Sequence, residues 1–442
     1  MKGFRKIPCV IQRGGTSKGV YLHEKDLPKD PKLRNKAILA IFGSPDIRQI
    51  DGLGGADPLT SKCAIIGPPE RSDADINYTM AQVDITKPIL DFKGNCGNIS
   101  SGVGPFAIDE GLVSIKEPET VVRIYNTNTK KILKAFVQTS QGKSNYTGDY
   151  AIDGVPGTSS KILLDYSATE GAGTGKLLPT GNPTDVISIP SIGKLEISIV
   201  DAGNPMCFIK PEVLNLSGIE GPSDQAVINS LDKIELIRGT AAKMVGFVDD
   251  PAKARTESPA GPMLAIVSEP KDYISFTDGK RVNADEIDFV SRSFFMQEMH
   301  KTYAGTGTVC TGAAAMIEGT LVNRVCTSRA MQTKMVRIGH PSGIVSIEVE
   351  VAKAADGFHL KKAAFGRTSR RIMEGFVYVP ENLFERLKPV PARRSACLRP
   401  AKAGLRAGRR GTLRSIPHYA RMSFVGYPPR IHPRSQRPWL SA

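Results

Sequence analysis

The stretch Gly94-Asn95-Cys96-Gly97-Asn98, running directly into Ile99-Ser100-Ser101-Gly102-Val103-Gly104, decides how this chain is read. Glycine and asparagine punctuate a turn, and the segment from Gly97 to Glu110 then reads as a helix that Gly111 stops. A thiol at a helix N-terminus faces free backbone N–H groups and the positive end of the helix dipole, and both favour thiolate over thiol. The flanking glycines let a ligand approach the backbone closely. Two readings of Cys96 fit the spacing: a reactive thiol, or a small buried residue at a cap.

Outward from this turn, a second helix of small residues opens at Gly305-Thr306-Gly307 and runs through Thr311-Gly312-Ala313-Ala314-Ala315. Small residues let a helix sit inside a curved sheet, and each Gly-rich start is an anion-binding end. If both ends face one cleft, a dicarboxylate is the expected ligand; otherwise they are two tightly packed helices. Upstream, Asp57-Pro-Leu-Thr-Ser-Lys62-Cys-Ala-Ile-Ile66 places Lys62 on the same strand face as Ala64 and Ile66. An ammonium on an apolar face is desolvated, so its pKa falls and it becomes a general base. The alternative is a strand-end lysine snorkelling to water. Three further loops pair turn residues with hydrogen-bond donors: Gly14-Gly15-Thr16-Ser17, Asp201-Ala-Gly203-Asn204-Pro205 and Gly339-His340-Pro341-Ser342-Gly343. Each reads equally as a site loop or an ordinary turn.

The remaining pattern is mixed α and β. Strands are expected at Ile7–Gln12, Val20–His23, Thr60–Ile66, Ile76–Thr86, Val121–Tyr125 and Ile132–Gln138, with a helix capped by Asp30, started by Pro31 and ended by Gly43. The Gly/Thr/Pro-rich stretch 168–182 marks a crossing, after which the layout partly repeats. Strands are expected at Leu195–Val200 and Cys207–Ile209, a helix over Asp285–Tyr303, and strands at Val336–Ile338, Ile344–Val351 and Phe376–Val379. This gives an N-terminal domain, 1–182 with a returning segment 373–388, a C-terminal domain, 183–372, and a tail, 389–442.

Composition narrows the function. The 442 residues hold 59 Lys+Arg and 44 Asp+Glu, a net charge of +15. Twelve basic residues and no acidic ones lie in 389–442, leaving 47 against 44, or +3, for the body. A nearly neutral body does not read as a nucleic-acid binder, and the tail reads as a disordered extension. No apolar run is long enough for a signal-peptide core or a membrane span. Seven scattered cysteines without a CxxC pair fit reduced thiols in a cytoplasmic protein. Six scattered histidines suggest no metal site. Gly171-Ala-Gly-Thr-Gly175-Lys176 imitates a phosphate loop, but Glu170 and Leu177 stand where it needs Gly and Ser/Thr. Gly305-Thr-Gly307-Thr-Val-Cys310 fails the dinucleotide pattern at its third glycine, and the expected helix before it is the wrong element.

Taken in order, Gly94-Asn-Cys-Gly-Asn98, Gly203-Asn-Pro205 and the Gly-Thr-Gly helix turn resemble the diaminopimelate epimerase fold. Arg13-Gly-Gly-Thr-Ser-Lys-Gly19, Gln49-Ile-Asp-Gly-Leu-Gly-Gly55, Thr60-Ser-Lys62, Gly339-His-Pro-Ser-Gly343 and the run Arg370–Pro380 are similar to the branch holding 2-methylaconitate cis–trans isomerase, 4-oxalomesaconate tautomerase and 3-methylitaconate Δ-isomerase, and Ser44-Pro-Asp-Ile-Arg-Gln-Ile-Asp-Gly52, Asp57-Pro-Leu-Thr-Ser-Lys62 and Ile152-Asp-Gly-Val-Pro-Gly157 resemble the last most of all. The resemblance spans about residues 5–388. It implies an α/β architecture of two similar domains, each a curved mixed sheet around a central helix, with the active site between them. It implies no cofactor and an allylic proton transfer in a branched unsaturated di- or tricarboxylate. Epimerase relatives use two cysteines; Cys96 matches the first, while Ala304 stands at the second's place and Cys310 falls six residues later. The resemblance therefore implies Lys62 and Cys96 as the acid/base pair with Ser17 close to the substrate. Thr16, Asn95, Gly97, Asn98, Asn204, Gly305, Thr306, Gly307, His340 and Ser342 complete the expected substrate-binding set. The expected partner is that small acid, without nucleic acid or membrane, with a homo-oligomer allowed. A non-catalytic dicarboxylate-binding protein is the contrasting reading.

Overall fold

The first two strands, Phe4–Gly14 and Ser17–His23, form a hairpin across Gly15-Thr16, with Gly15 in the left-handed region that a two-residue turn requires (φ 49°). Their order starts a pattern used twice. Ser17–His23 pairs parallel with Lys62–Gly67, which pairs antiparallel with Ile76–Val83; that strand pairs parallel with Glu119–Asn126, and two antiparallel steps follow, to Lys131–Ser140 and Ile162–Asp165. The second half repeats the sequence of steps. Gly193–Ala202 pairs antiparallel with Asn204–Ile209, then parallel with Met263–Ser268, antiparallel with Phe289–Phe295, parallel with Met335–His340, and twice antiparallel, to Gly343–Ala354 and Gly357–Arg367. The computed structural model describes residues 3–384; Cys397, Trp439 and the expected disordered tail lie outside the described residues.

Each half wraps its strands around one central helix, Gly97–Asp109 or Gly305–Met316. Every residue of these helices is buried except Asp109 in the first and Met316 in the second, which is why they are built from Gly, Ala, Ser and Thr: only small side chains fit between a helix and the concave side of a sheet. This is the diaminopimelate-epimerase-like α/β architecture. Ile162–Asp165 pairs with Gly357–Arg367, so the two halves share one hydrogen-bonded sheet, and Ser369–Pro380 returns to pair along Phe4–Gly14. On the outer faces lie Pro31–Phe42, capped by the Asp30 carboxylate and ended by Gly43 at φ 69°, and Gln225–Met244.

The structure corrects the expected helix at Asp285–Tyr303. Ala284–Glu286 is one 3-10 turn, Phe289–Phe295 is a strand and Glu298–Met299 pairs back onto it. Phe289–Phe294 is buried throughout, so the strand lacks the polar–apolar alternation that identifies one. A strand therefore precedes Gly305, and that ground for setting the dinucleotide pattern aside falls; the missing third glycine still sets it aside. The long helix Gln225–Met244 and the strands Met263–Ser268 and Gly357–Arg367 were not anticipated. The phosphate-loop imitation is explained: Gly173 and Thr174 donate their backbone N–H groups to the Asp201 carboxylate at 2.8 and 2.7 Å, so the loop already holds an anion of its own chain.

Candidate active site

The two central helices begin against each other. A Cβ built on Gly97 would lie 2.6 Å from the Gly305 carbonyl carbon, and one built on Gly305 would lie 2.6 Å from that of Gly97. Only glycine permits this approach. Asn204 binds the junction together. Its amide pairs twice with the Asn95 backbone, accepting from Asn95 N at 2.9 Å and donating to Asn95 O at 2.7 Å, and it also donates to Thr306 Oγ1 at 3.1 Å. A side chain of the second half thus fixes the turn that carries Cys96 in the first.

Cys96 is the N-cap of its helix, with Sγ accepting from Ile99 N at 3.5 Å. Asn95 Oδ1 accepts from Cys96 N at 2.7 Å and from the Ser100 hydroxyl at 3.2 Å, which sets the direction of the thiol. Cys96 lines a cleft of about 440 Å³ together with Lys62, Gln82, Asn95, Asn98 and His300. Asn204 and Thr306 reach the same cleft, and Met80, Met263, Phe295 and Ala304 form its apolar wall.

Lys62 is 3% exposed. Its Nζ donates to Gln82 Oε1 at 2.6 Å and lies 4.5 Å from the centre of the Phe295 ring. Burial pushes its pKa down, against the opposing pull of Cys96 and Asp57. Burial thus favours the neutral amine relative to a lysine in water, and a thiolate formed at Cys96 would favour the ammonium. The orientation of Gln82 is settled by its other end: Nε2 donates to the carbonyls of Pro58 at 3.1 Å and Ser61 at 3.2 Å, so Oε1 must face the lysine. Asp91, the carboxyl in the wall, accepts from the backbone N–H of Lys93 at 2.7 Å and Ala260 at 3.1 Å and is committed to structure.

His300 and Gln82 were not identified from the sequence. His300 was hidden by the helix expected over 285–303, whereas it follows the edge of a β-hairpin and enters the cleft. Thr302 N donates to its Nδ1 at 3.1 Å, which leaves the proton of the neutral ring on Nε2. Burial pushes the imidazole pKa down to about 3, so it enters the cleft as a neutral donor.

The expected residues divide between places. Lys62, Cys96, Asn95, Asn98, Asn204 and Thr306 come together in the cleft. Gly97 and Gly305 make the helix junction, and Gly307 packs under Ala304 and Met206. Thr16 and His340 line a neighbouring cavity. Ser342 is a turn residue that donates to Lys301 O at 2.6 Å. Ser17 is 2% exposed and lies outside the cleft wall, its Oγ buried without a partner. Cys310 is fully buried, donates to Val200 O at 3.0 Å, and burial pushes its pKa up, so it offers the cleft no thiol. Among the described residues no His/Cys/Asp/Glu group is arranged to hold a metal ion, and no helix is long and apolar enough to cross a membrane.

A family model described as PrpF protein matches residues 4–380. The chain is 53% identical over 378 residues to a 3-methylitaconate isomerase of Eubacterium barkeri, covering 85% of this chain and 97% of that protein. It is 36% identical over 392 residues to a 2-methyl-aconitate isomerase of Shewanella oneidensis, again covering 85% and 97%. A crystal structure of methylitaconate-delta-isomerase superposes with a TM-score of 0.71 at 50% identity, covering 88% of this chain and all of the other.

Proposed function

This chain belongs to the PrpF family, and from that premise and the pairing of Lys62 with Cys96 in one cleft we propose that it is a cofactor-independent isomerase converting 3-methylitaconate to 2,3-dimethylmaleate. The observation that carries the reading is the buried amine of Lys62 facing the same cleft as a helix-capping thiol.

The chemistry needs one base and one acid. The Lys62 amine removes the proton from the carbon that is both allylic and α to a carboxylate. The electron pair of that C–H bond forms the new C=C bond, and the former methylene carbon takes a proton from the Cys96 thiol to become a methyl group. One turnover leaves an ammonium and a thiolate in the cleft; transfer of one proton from nitrogen to sulfur, directly or through water, restores the pair. Negative charge spreads onto the flanking carboxylate during the transfer. The helix N-termini meeting at Gly97 and Gly305 and the His300 Nε2–H are the donors available to stabilise it. The apolar wall excludes water and strengthens each of these interactions.

The proposed partner is this acid alone, with neither nucleic acid nor membrane. A cytoplasmic location is proposed with it, supported by the six described cysteines being free thiols. Ultraviolet absorbance assays on 3-methylitaconate, 2-methylaconitate and 4-oxalomesaconate test the substrate. The reading expects the highest kcat/KM for 3-methylitaconate; turnover of another acid at a tenfold higher kcat/KM overturns the assignment, and turnover of none overturns the isomerase.

A further inference from the structure

A second cavity shares a wall with the catalytic cleft. Asn98, in the cleft wall, donates to Thr16 Oγ1 at 3.0 Å and accepts from Arg367 Nε at 3.0 Å, and both of those residues line the second cavity. That cavity encloses about 600 Å³, and Tyr150, Asp153, Tyr303 and His340 also line it.

Arg367 is 4% exposed, yet among the described residues it makes no ion pair. Nε serves Asn98, Nη1 donates to Gly366 O at 3.0 Å, and Nη2 has no protein acceptor. The other deeply buried arginines behave differently: Arg238 is paired with the Glu235 carboxylate at 2.6 Å, and the three nitrogens of Arg292 donate to the carbonyls of Glu220, Ile219, Ser291 and Gly339. Burying a charge without a counter-charge is costly, so an unsatisfied guanidinium nitrogen facing a cavity calls for a ligand.

The other donors match. Thr16 Oγ1 already accepts from Asn98 and from the Thr302 hydroxyl at 2.8 Å, leaving its own proton to donate. Ser342 N donates to His340 Nδ1 at 3.2 Å, leaving the His340 Nε2–H, and burial beside Arg367 and Arg292 keeps that ring neutral. The carboxyl in the cavity, Asp153, is engaged by Ile344 N at 2.6 Å and makes no ion pair with Arg367. A guanidinium N–H, a hydroxyl O–H and an imidazole N–H lining one cavity match the two oxygens of a carboxylate.

We propose that this cavity is a carboxylate-binding subsite in which Arg367, Thr16 and His340 donate to one carboxylate group. The carboxylate belongs either to the remote end of the isomerase substrate, a source that rests on the function proposed above, or to a separate small acid, which does not.

The test uses the full chain as wild type, as Arg367→Gln, and as Ser346→Trp, which fills the mouth of the cavity from an exposed lining position without altering Arg367. The probe is [1-13C]acetate, followed by carbon NMR. Acetate is expected to bind the wild type and to bind both variants at least tenfold more weakly; equal binding to all three, or none to the wild type, overturns the subsite. Should Arg367→Gln fail to fold, Ser346→Trp decides. Kinetics then separate the sources. A thirtyfold or greater rise in KM for 3-methylitaconate, with kcat within threefold and acetate displaced by the substrate, assigns the site to the substrate. An unchanged KM with acetate retained assigns it to a separate acid. If the wild type turns over no unsaturated acid, the isomerase reading fails and acetate binding alone decides the subsite.

Discussion

Gln82→Glu tests the proposed role of Lys62 through a change of one atom. In the native cleft a neutral carbonyl oxygen sits 2.6 Å from Nζ, and burial holds the lysine pKa down. A carboxylate in that position favours the ammonium. Two unit charges about 4 Å apart interact by roughly 4 kcal/mol at an effective dielectric of about 20, and one pKa unit corresponds to about 1.4 kcal/mol. Allowing for the desolvation of the new carboxylate, a rise of about 1–3 units is expected. The sign follows from which form reacts. The base works as the free amine, whose fraction below the pKa falls tenfold for each unit the pKa rises. The alkaline-rising limb of kcat/KM against pH should therefore move up by about 1–3 units, with activity at neutral pH reduced by about 10- to 1000-fold and recovered as the pH is raised. Gln82→Met removes the acceptor without adding charge, so its limb should stay in place or move to lower pH. The assay is the absorbance change of the substrate over a series of buffers at constant ionic strength. A Gln82→Glu enzyme that folds and keeps the wild-type limb would refute Lys62 as the base.

Lys62→Met should lower kcat by about 10²–10⁴-fold while circular dichroism shows the fold intact, because it keeps the stem of the side chain and loses the amine; a loss below tenfold makes Lys62 structural. Cys96→Ser should bind substrate and lose most turnover, and iodoacetamide should inactivate the wild type with protection by the substrate. Cys310→Ser should stay active, since that thiol is sealed against Val200 O; the opposite pattern in these two variants reverses the assignment. Gly97→Ala should cost about 1–3 kcal/mol in urea unfolding, because its Cβ meets the backbone of Gly305 and Thr306 at 2.6 and 2.7 Å. Gly221→Ala, with nothing nearer than 3.9 Å, is the control expected within about 0.5 kcal/mol; equal midpoints for the two would contradict the close helix junction.

Local chemistry made part of the site legible. The Gly-Asn-Cys-Gly-Asn turn announces a capped helix by itself, whereas Lys62 followed by Cys63-Ala64-Ile65-Ile66 fits either a buried or a snorkelling lysine, and the fold decides for burial along all of Lys62–Gly67. The Asp30–Pro31 start and Gly43 stop are equally local, and the side chain of Asp30 accepts from Lys32 N and Leu33 N as a cap should. What stayed hidden depends on partners distant in sequence. Gln82 meets Lys62 only because the strand register sets them opposite each other. The need for glycine at 97 and 305 comes from a helix junction more than 200 residues apart in sequence. His300 and Phe295 were lost because a strand buried along its length carries no alternating pattern, and the polar residues within it, Ser291, Arg292 and Ser293, are buried as well. Arg367 looks like one more basic residue near Arg370 and Arg371 until its burial is known.

The central claim, that Lys62 and Cys96 move a proton across an unsaturated acid, is tested most directly by deuterium. Incubation of 3-methylitaconate with the wild type in D₂O, followed by proton NMR, should give 2,3-dimethylmaleate with deuterium in the newly formed methyl group, and Lys62→Met should give neither product nor exchange. Product formed by Lys62→Met at the wild-type rate, or exchange absent from a wild type that binds the acid, would contradict the account.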